Sequence, residues 1–132
     1  MSTTYLKKDL HKSPDPRKRL GVKGEDYACL YLQKCGLKIL ERNVRFKKGE
    51  LDIVARDESH ICFIEVKTRS NLDYGRPSLA LTEKKQHTIR RLAEWYLKLH
   101  KEYAHLSPRI DVLELLMMPN GKIYVNYIIA AF

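Results

Sequence analysis

Two hydrophobic periods alternate along this chain. Between residues 17 and 35 the apolar positions Ala28, Tyr31, Leu32 and Cys35 recur at three- and four-residue steps, which predicts a helix ended by Gly36. Residues 37–46 are rich in strand formers, with Gly49 as punctuation. Residues 51–55 and 61–66 read as two apolar strands joined by the polar stretch 56–60, and residues 71–77 as a loop broken by Gly75 and Pro77. The longest helical pattern runs over 82–100, with Ile89, Leu92, Ala93, Tyr96 and Leu99 on one side and Thr82 as N-cap. Residues 109–117 and 123–129 read as strands around the turn signal Pro119-Asn120-Gly121. The order helix, three strands, helix, two strands predicts an α/β fold, a mixed sheet of about five strands flanked by helices.

A length of 132 residues with 44% apolar and 31% charged residues suits one domain with a real core. No apolar run approaches the roughly 20 residues of a membrane span, and the charged N-terminus lacks the apolar stretch of a secretory signal. Cys29, Cys35 and Cys62 have no metal-binding spacing, and the five His residues have none either. Reduced thiols in a cytoplasmic protein are expected. The net charge of +9 points to an anionic partner, nucleic acid before membrane. Seven bases and only two acids fall in the first 24 residues, so more than half of that excess is N-terminal. Residues 1–16 read as a flexible basic arm, either touching nucleic acid or solvated, and residues 17–132 as the single domain.

The anomaly is acid inside apolar strands. Asp52 sits in Leu51-Asp52-Ile53-Val54, and Glu65 and Lys67 sit in Phe63-Ile64-Glu65-Val66-Lys67. A carboxylate buried there is costly unless it is paired, hydrogen-bonded or bound to a metal. If Glu58-Ser59 form a two-residue hairpin turn, Asp52 falls opposite Glu65 and Glu50 opposite Lys67, and alternation points all four to one face. Two facing carboxylates repel, and a hard divalent ion such as Mg²⁺ bound through oxygens resolves the conflict. Lys67 beside it would orient water or steady charge on phosphorus, an arrangement for phosphodiester hydrolysis. The competing explanation is a structural Asp–Lys ion pair. Glu25, on the apolar edge of the first helix beside Gly21 and Gly24, is either a third carboxylate of the site or an ordinary first-turn acid. Arg45, Lys48, Arg69 and Lys84, with Arg42, Lys47, Arg76, Lys85, Arg90 and Arg91, flank the site in sequence as candidate phosphate contacts. Tyr96 is assigned to the core and Trp95 is left open, while Arg109 and Asp111 are expected to form a structural ion pair.

The series Gly24-Glu25, Asn43-Val44-Arg45, Gly49-Glu50-Leu51-Asp52-Ile53-Val54, Phe63-Ile64-Glu65-Val66-Lys67-Thr68-Arg69, Gly75-Arg76-Pro77 and Arg109-Ile110-Asp111-Val112 resembles the YraN-type, UPF0102-like uncharacterised bacterial family. That family is similar to archaeal Holliday-junction resolvases of the PD-(D/E)xK, restriction-endonuclease-like superfamily. The resemblance implies a restriction-endonuclease-like α/β core. It implies Asp52, Glu65 and the Val66 carbonyl as metal ligands, Lys67 as catalytic lysine, Glu25 as the helical acid, and Gln86 as a polar residue facing the site. The superfamily's Pro before the Asp is Leu51 here. The expectation is a DNA endonuclease dependent on Mg²⁺ or Mn²⁺, acting on branched or damaged DNA, with a homodimer suited to paired cuts. The alternatives are a nucleic-acid-binding protein with a nuclease-like fold that does not cut, and a protein-interaction domain docking its basic arm on an acidic partner.

Overall fold

The structure, a computed structural model, describes residues 16–70 and 81–132, with side chains from Gly24 onward and excluding Ser70. The basic arm up to residue 15 and the loop expected at 71–77 lie outside the described residues. The chain runs α1 (Pro16–Lys34), β1 (Lys38–Phe46), β2 (Gly49–Arg56), β3 (His60–Ser70), α2 (Glu83–Leu99), a short 3-10 turn (Lys101–Tyr103), β4 (Ser107–Met117) and β5 (Ile123–Ile128). The predicted order holds, and β3 extends four residues past the apolar run that announced it.

The five strands lie in the order β1-β2-β3-β4-β5. All neighbours are antiparallel except β3 and β4, which are parallel and joined through α2. The helices cover opposite faces of this sheet. Ala28, Cys29 and Leu32 of α1 pack with Ile53, Ala55, Cys62, Ile64, Leu113 and Leu115. Ile89, Leu92, Ala93 and Tyr96 of α2 pack with Leu51, Val54, Ile61, Phe63, Ile110 and Val112. Central strands covered on both faces explain why β2, β3 and β4 read as near-continuous apolar runs.

Local chemistry sets the ends of these elements. Gly36 takes a φ of 92°, the left-handed conformation that closes α1. The Thr82 side chain accepts from the Lys85 N–H at 3.1 Å and caps α2. Between β2 and β3 the Asp57 carboxylate accepts from the Ser59 and His60 N–H groups at 2.8 and 2.7 Å, stabilising the two-residue turn at Glu58-Ser59. The resulting register pairs Ile53 with Ile64 and Arg56 with Ile61, the one expected from the sequence. Tyr96 is buried, and Trp95 packs on Phe46 at 5.9 Å between centroids, so both aromatics belong to packing. Among the described residues no helix is long and apolar enough to cross a membrane.

Candidate functional site: a carboxyl pair where two strands part

The β2–β3 ladder stops at Ile53 and Ile64, and the next residues in that register are Asp52 and Glu65. Instead of continuing the ladder, the Asp52 Oδ2 accepts from the Val66 N–H at 2.9 Å and fills the gap where the strands separate. A strand residue's N–H and C=O point to the same side. The Val66 carbonyl therefore faces this gap too.

The separation has a backbone cause. Gly49 and Leu51 face α2, yet so does Val54, while Ile53 faces α1. Strict alternation therefore fails at Asp52. On the neighbouring strand Asn43, opposite Asp52 in the β1–β2 register, has a φ of 53°. Asn tolerates this left-handed conformation better than other side-chain-bearing residues. Around it Arg42 reaches Asp26 on the α1 side, whereas Val44 joins the α2-side core. Both strands thus change face at one level, and the expectation that Glu50, Asp52, Glu65 and Lys67 share a face is corrected. Glu50 is instead ion-paired with Arg45 at 3.0 Å across the β1–β2 hairpin.

The Asp52 and Glu65 carboxyl groups lie within hydrogen-bonding reach of each other. An ionised carboxylate only accepts, so a hydrogen bond between the two requires one of them to hold a proton. Burial, then the Asp52 charge, pushes Glu65 up to about 7, although Lys85 opposes this. Burial also raises Asp52, while the Val66 N–H and the bond from Glu65 pull it back. Burial thus favours the protonated form of both acids, against the pull of Lys85 on Glu65 and of the Val66 N–H on Asp52.

Glu25 enters from α1. A Cβ placed on Gly24 would collide with the Thr68 hydroxyl, so helix and strand approach closely at this point and only glycine fits. The next residue, Glu25, has its pKa raised by burial first and by Asp52 second, with Arg42 and a hydrogen bond from Asn43 opposing. Arg42 Nη2 lies 3.7 Å from Glu25 Oε1 and 2.7 Å from the fully buried Asp26. Glu25 thus lies within electrostatic reach of Asp52, as a third carboxyl at the strand fork.

Lys67, two residues beyond Glu65, points to the α2 face and is half-buried. Its neighbour across the parallel ladder is the buried Glu114. Glu114 accepts from Asn126 Nδ2 at 3.1 Å and lies 3.8 Å from Arg69 Nη1. The cation in contact with Glu65 is Lys85, at 3.5 Å. Gln86, expected to face the site, spends its amide on the Leu81 carbonyl at 2.9 Å. Lys48 and Lys84 are exposed, Arg45 is exposed but paired with Glu50, and Arg69 is half-buried beside Glu114. Among the described residues, no three His, Cys, Asp or Glu side chains converge into a ready cage for a metal ion.

Sequence reasoning passed over Glu114 and gave Asn43, part of the Asn43-Val44-Arg45 motif, no role. Glu114 carries the same signal that singled out Asp52, an acid within the apolar run Val112-Leu113-Glu114-Leu115-Leu116. Asp111 is a second such acid, and its role is structural. It is held by Arg109 at 3.0 Å, by the Tyr127 hydroxyl at 2.5 Å and by the Ala130 N–H at 2.9 Å. The expected Arg109–Asp111 pair is therefore present. Cys29 and Cys62 are buried free thiols, both raised to about 11 mainly by desolvation. That makes them poor nucleophiles.

Fold and site together define a mixed α/β protein with helices on both faces of its sheet and a pair of half-buried acids where two strands part. The chain belongs to the Uncharacterised protein family UPF0102, whose model matches residues 24–115. A UPF0102 protein of Syntrophotalea carbinolica is 47% identical over 97 residues, covering 74% of this chain and 78% of that one. One from Caldicellulosiruptor saccharolyticus is 41% identical over 117 residues, covering 88% and 98%. Among solved structures, Pyrococcus furiosus SfsA in complex with Ca²⁺ is similar at 18% identity and a TM-score of 0.39, over 83% of this chain and 62% of that one.

Proposed function

We propose that this protein is a metal-dependent DNA endonuclease that hydrolyses phosphodiester bonds, with Asp52 and Glu65 at its centre. The observation that carries the reading is the meeting of these two half-buried acids where the strands part, with Asp52 taking the Val66 N–H in place of a ladder bond. A cation held between the two ionised acids would relieve their repulsion. The donor set fits a hard divalent ion: two carboxylates and the Val66 carbonyl supply oxygens, leaving room for water and phosphate oxygens. Mg²⁺ or Mn²⁺ bound there would supply a Lewis acid and an activated water.

The remaining residues have roles of their own. Glu25 adds negative charge at the fork and accepts a hydrogen bond from Asn43. Lys67 presents a fixed ammonium two residues from Glu65, suited to steadying charge that builds on a phosphate. The exposed Lys48 and Lys84, with Arg45 and Arg69, would hold the DNA backbone without reading its sequence. The sequence resemblance to junction resolvases favours branched or damaged DNA as substrate.

The test is purified protein with Mn²⁺ on four-way junction, flap and linear DNA. The expected result is cleavage leaving 5′-phosphate ends, abolished in Asp52→Ala and Lys67→Ala. Absence of cleavage on all three substrates, or cleavage that survives Asp52→Ala, would overturn the reading. The Lys85–Glu65 contact favours a second reading, a nucleic-acid binder that no longer cuts, because a lysine already stands beside one acid where a cation would bind. DNA binding that needs no divalent ion and persists in Asp52→Ala, without cleavage, would establish that alternative.

A further inference from the structure

Two lysines belong to the neighbourhood of the acid pair, and the structure gives them different partners. Lys67 of β3, the lysine that the sequence motif nominates, has Glu114 as its neighbour across the parallel ladder. Lys85 of α2 has its Nζ 3.5 Å from Glu65 Oε2. Both acids feel its charge, which opposes the rise of Glu65 and that of Asp52. Lys67 is not among the leading influences on either acid.

The backbone that carries Lys85 is held at several points. Its N–H donates to Thr82 Oγ1 at 3.1 Å, and Gln86 Nε2 donates to the Leu81 carbonyl at 2.9 Å. The helix lies close on β2, since a Cβ on Gly49 would come within 3.2 Å of Leu92 and 3.5 Å of Thr88. The Lys85 side chain differs: it is 46% exposed, against 11% for Glu65, and sits on a flexible stem. An ammonium this exposed forms a modest ion pair that is readily exchanged. Its position also runs against the helix. Lys84 and Lys85 stand in the first turn of α2, where the macrodipole disfavours cations. The helix field does not account for a lysine at position 85; the acids on the sheet beneath it do.

We propose that Lys85 is the resident counter-ion of the strand fork and sets the charge that an entering cation must carry. The inference rests on the nuclease reading, in that it takes Asp52 and Glu65 as the acids a metal enters. When both are ionised they present two negative charges, and the Lys85 ammonium offsets one. A monovalent ion that displaced it would bring no more charge than it removed. A divalent ion brings one charge more, and its contacts to oxygen, about 2.0–2.6 Å, are shorter than the 3.5 Å of the ammonium. Coulomb attraction grows with charge and falls with distance, so the divalent ion gains by the exchange and the monovalent ion does not. Lys85 thus keeps monovalent cations out of the fork and lowers its affinity for divalent ones. Its exposure makes it a gate that opens, where a permanent occupant would be buried with the acids.

Calorimetric titration of Mg²⁺ into the full chain without DNA tests this, at pH 8.5, above the value of about 7 to which Glu65 is raised. Lys85→Gln should bind Mg²⁺ about fivefold more tightly than wild type, the factor that one exposed ion pair is worth. Lys85→Arg, which keeps the cation, should restore the wild-type affinity, and Asp52→Asn should remove the binding. The Lys85 N–H keeps its bond to Thr82 in both lysine variants, so folding is spared. In NMR spectra of the wild-type lysine side chains, Mg²⁺ should move the Lys85 Cε signal, and KCl at matched ionic strength should not. Mg²⁺ binding that is absent, or that Asp52→Asn leaves unchanged, would overturn the nuclease reading and this inference with it. Binding that needs Asp52 but is no tighter in Lys85→Gln, or as tight in Lys85→Arg as in Lys85→Gln, would overturn the role of Lys85 alone. So would a Lys85 signal that Mg²⁺ leaves in place or that KCl moves equally.

Discussion

Replacing Glu65 with Gln removes one proton-binding site from the acid pair at the strand fork. An acid whose folded pKa is raised favours the folded state fully below its unfolded pKa, and that contribution is lost as pH rises through the folded value. For Glu65 the window runs from its ordinary 4.5 to about 7. At 1.36 kcal/mol per pKa unit this gap corresponds to about 3 kcal/mol. Glu65→Gln keeps the shape and the hydrogen-bond donor that the protonated acid presents to Asp52, and it never ionises. In metal-free protein the variant should match wild type near pH 4.5 and exceed it by about 3 kcal/mol at pH 8. For a domain of this size the gain is a rise of about 10 °C in Tm. Urea unfolding with chelator present, at intervals from pH 4.5 to 8.5, measures the difference directly. A difference that does not change with pH, or a variant less stable than wild type at pH 8, would refute the account of the pair. Titrations of groups that do not interact with Glu65 are common to both proteins and cancel, whereas Asp52 loses a charged neighbour in the variant and adds to the difference in the same direction.

Lys85→Gln should move the apparent Glu65 pKa above about 7, because the Lys85 ammonium pulls it down; carboxyl-carbon NMR titration reads the shift, and no change would dissociate Lys85 from the pair. Gly24→Ala should cost about 1–3 kcal/mol in urea unfolding, since the added Cβ has no room beside Thr68. Tyr127→Phe removes a hydrogen bond to the fully buried Asp111 and should cost about 1–3 kcal/mol, measured by urea unfolding at pH 7.

The β2–β3 register was legible because a short turn and two apolar runs leave little freedom: a slip by one residue would turn Phe63 and Ile64 to the wrong faces. Helix boundaries were legible from Thr82 and Gly36, whose side chain and backbone freedom act locally. The face change at Asp52 was not. It depends on the left-handed φ of Asn43 on a neighbouring strand, and period-two reasoning assumes that no residue takes that conformation. The error had a consequence for Glu50, which was grouped with Asp52 yet pairs with Arg45. Lys85 was counted among flanking bases, because helix spacing alone does not say which lysine of the first turn reaches a strand on the sheet below. Glu114 is a different case. Its signal was present, but its partners Arg69 and Asn126 come from the two strands that flank β4, and a strand's own sequence does not say which strands flank it.

The parallel pairing of β3 with β4 divides the formation of the strand fork in time. Ile53 and Ile64, beside the acid pair, are eleven residues apart and joined by a tight turn, so loop closure costs little there. Lys67 and its neighbour Glu114 are forty-seven residues apart, with α2 between them. Local contacts form before distant ones when closure entropy governs the rate. During folding, the two acids should therefore meet while the sheet beyond β3 is still missing, exposed to water and not yet strained. Substitutions in the β2–β3 hairpin should then slow folding, and those in β4 should chiefly speed unfolding. The energetic burden of burying the pair falls at the end, when β4 docks and the interior closes.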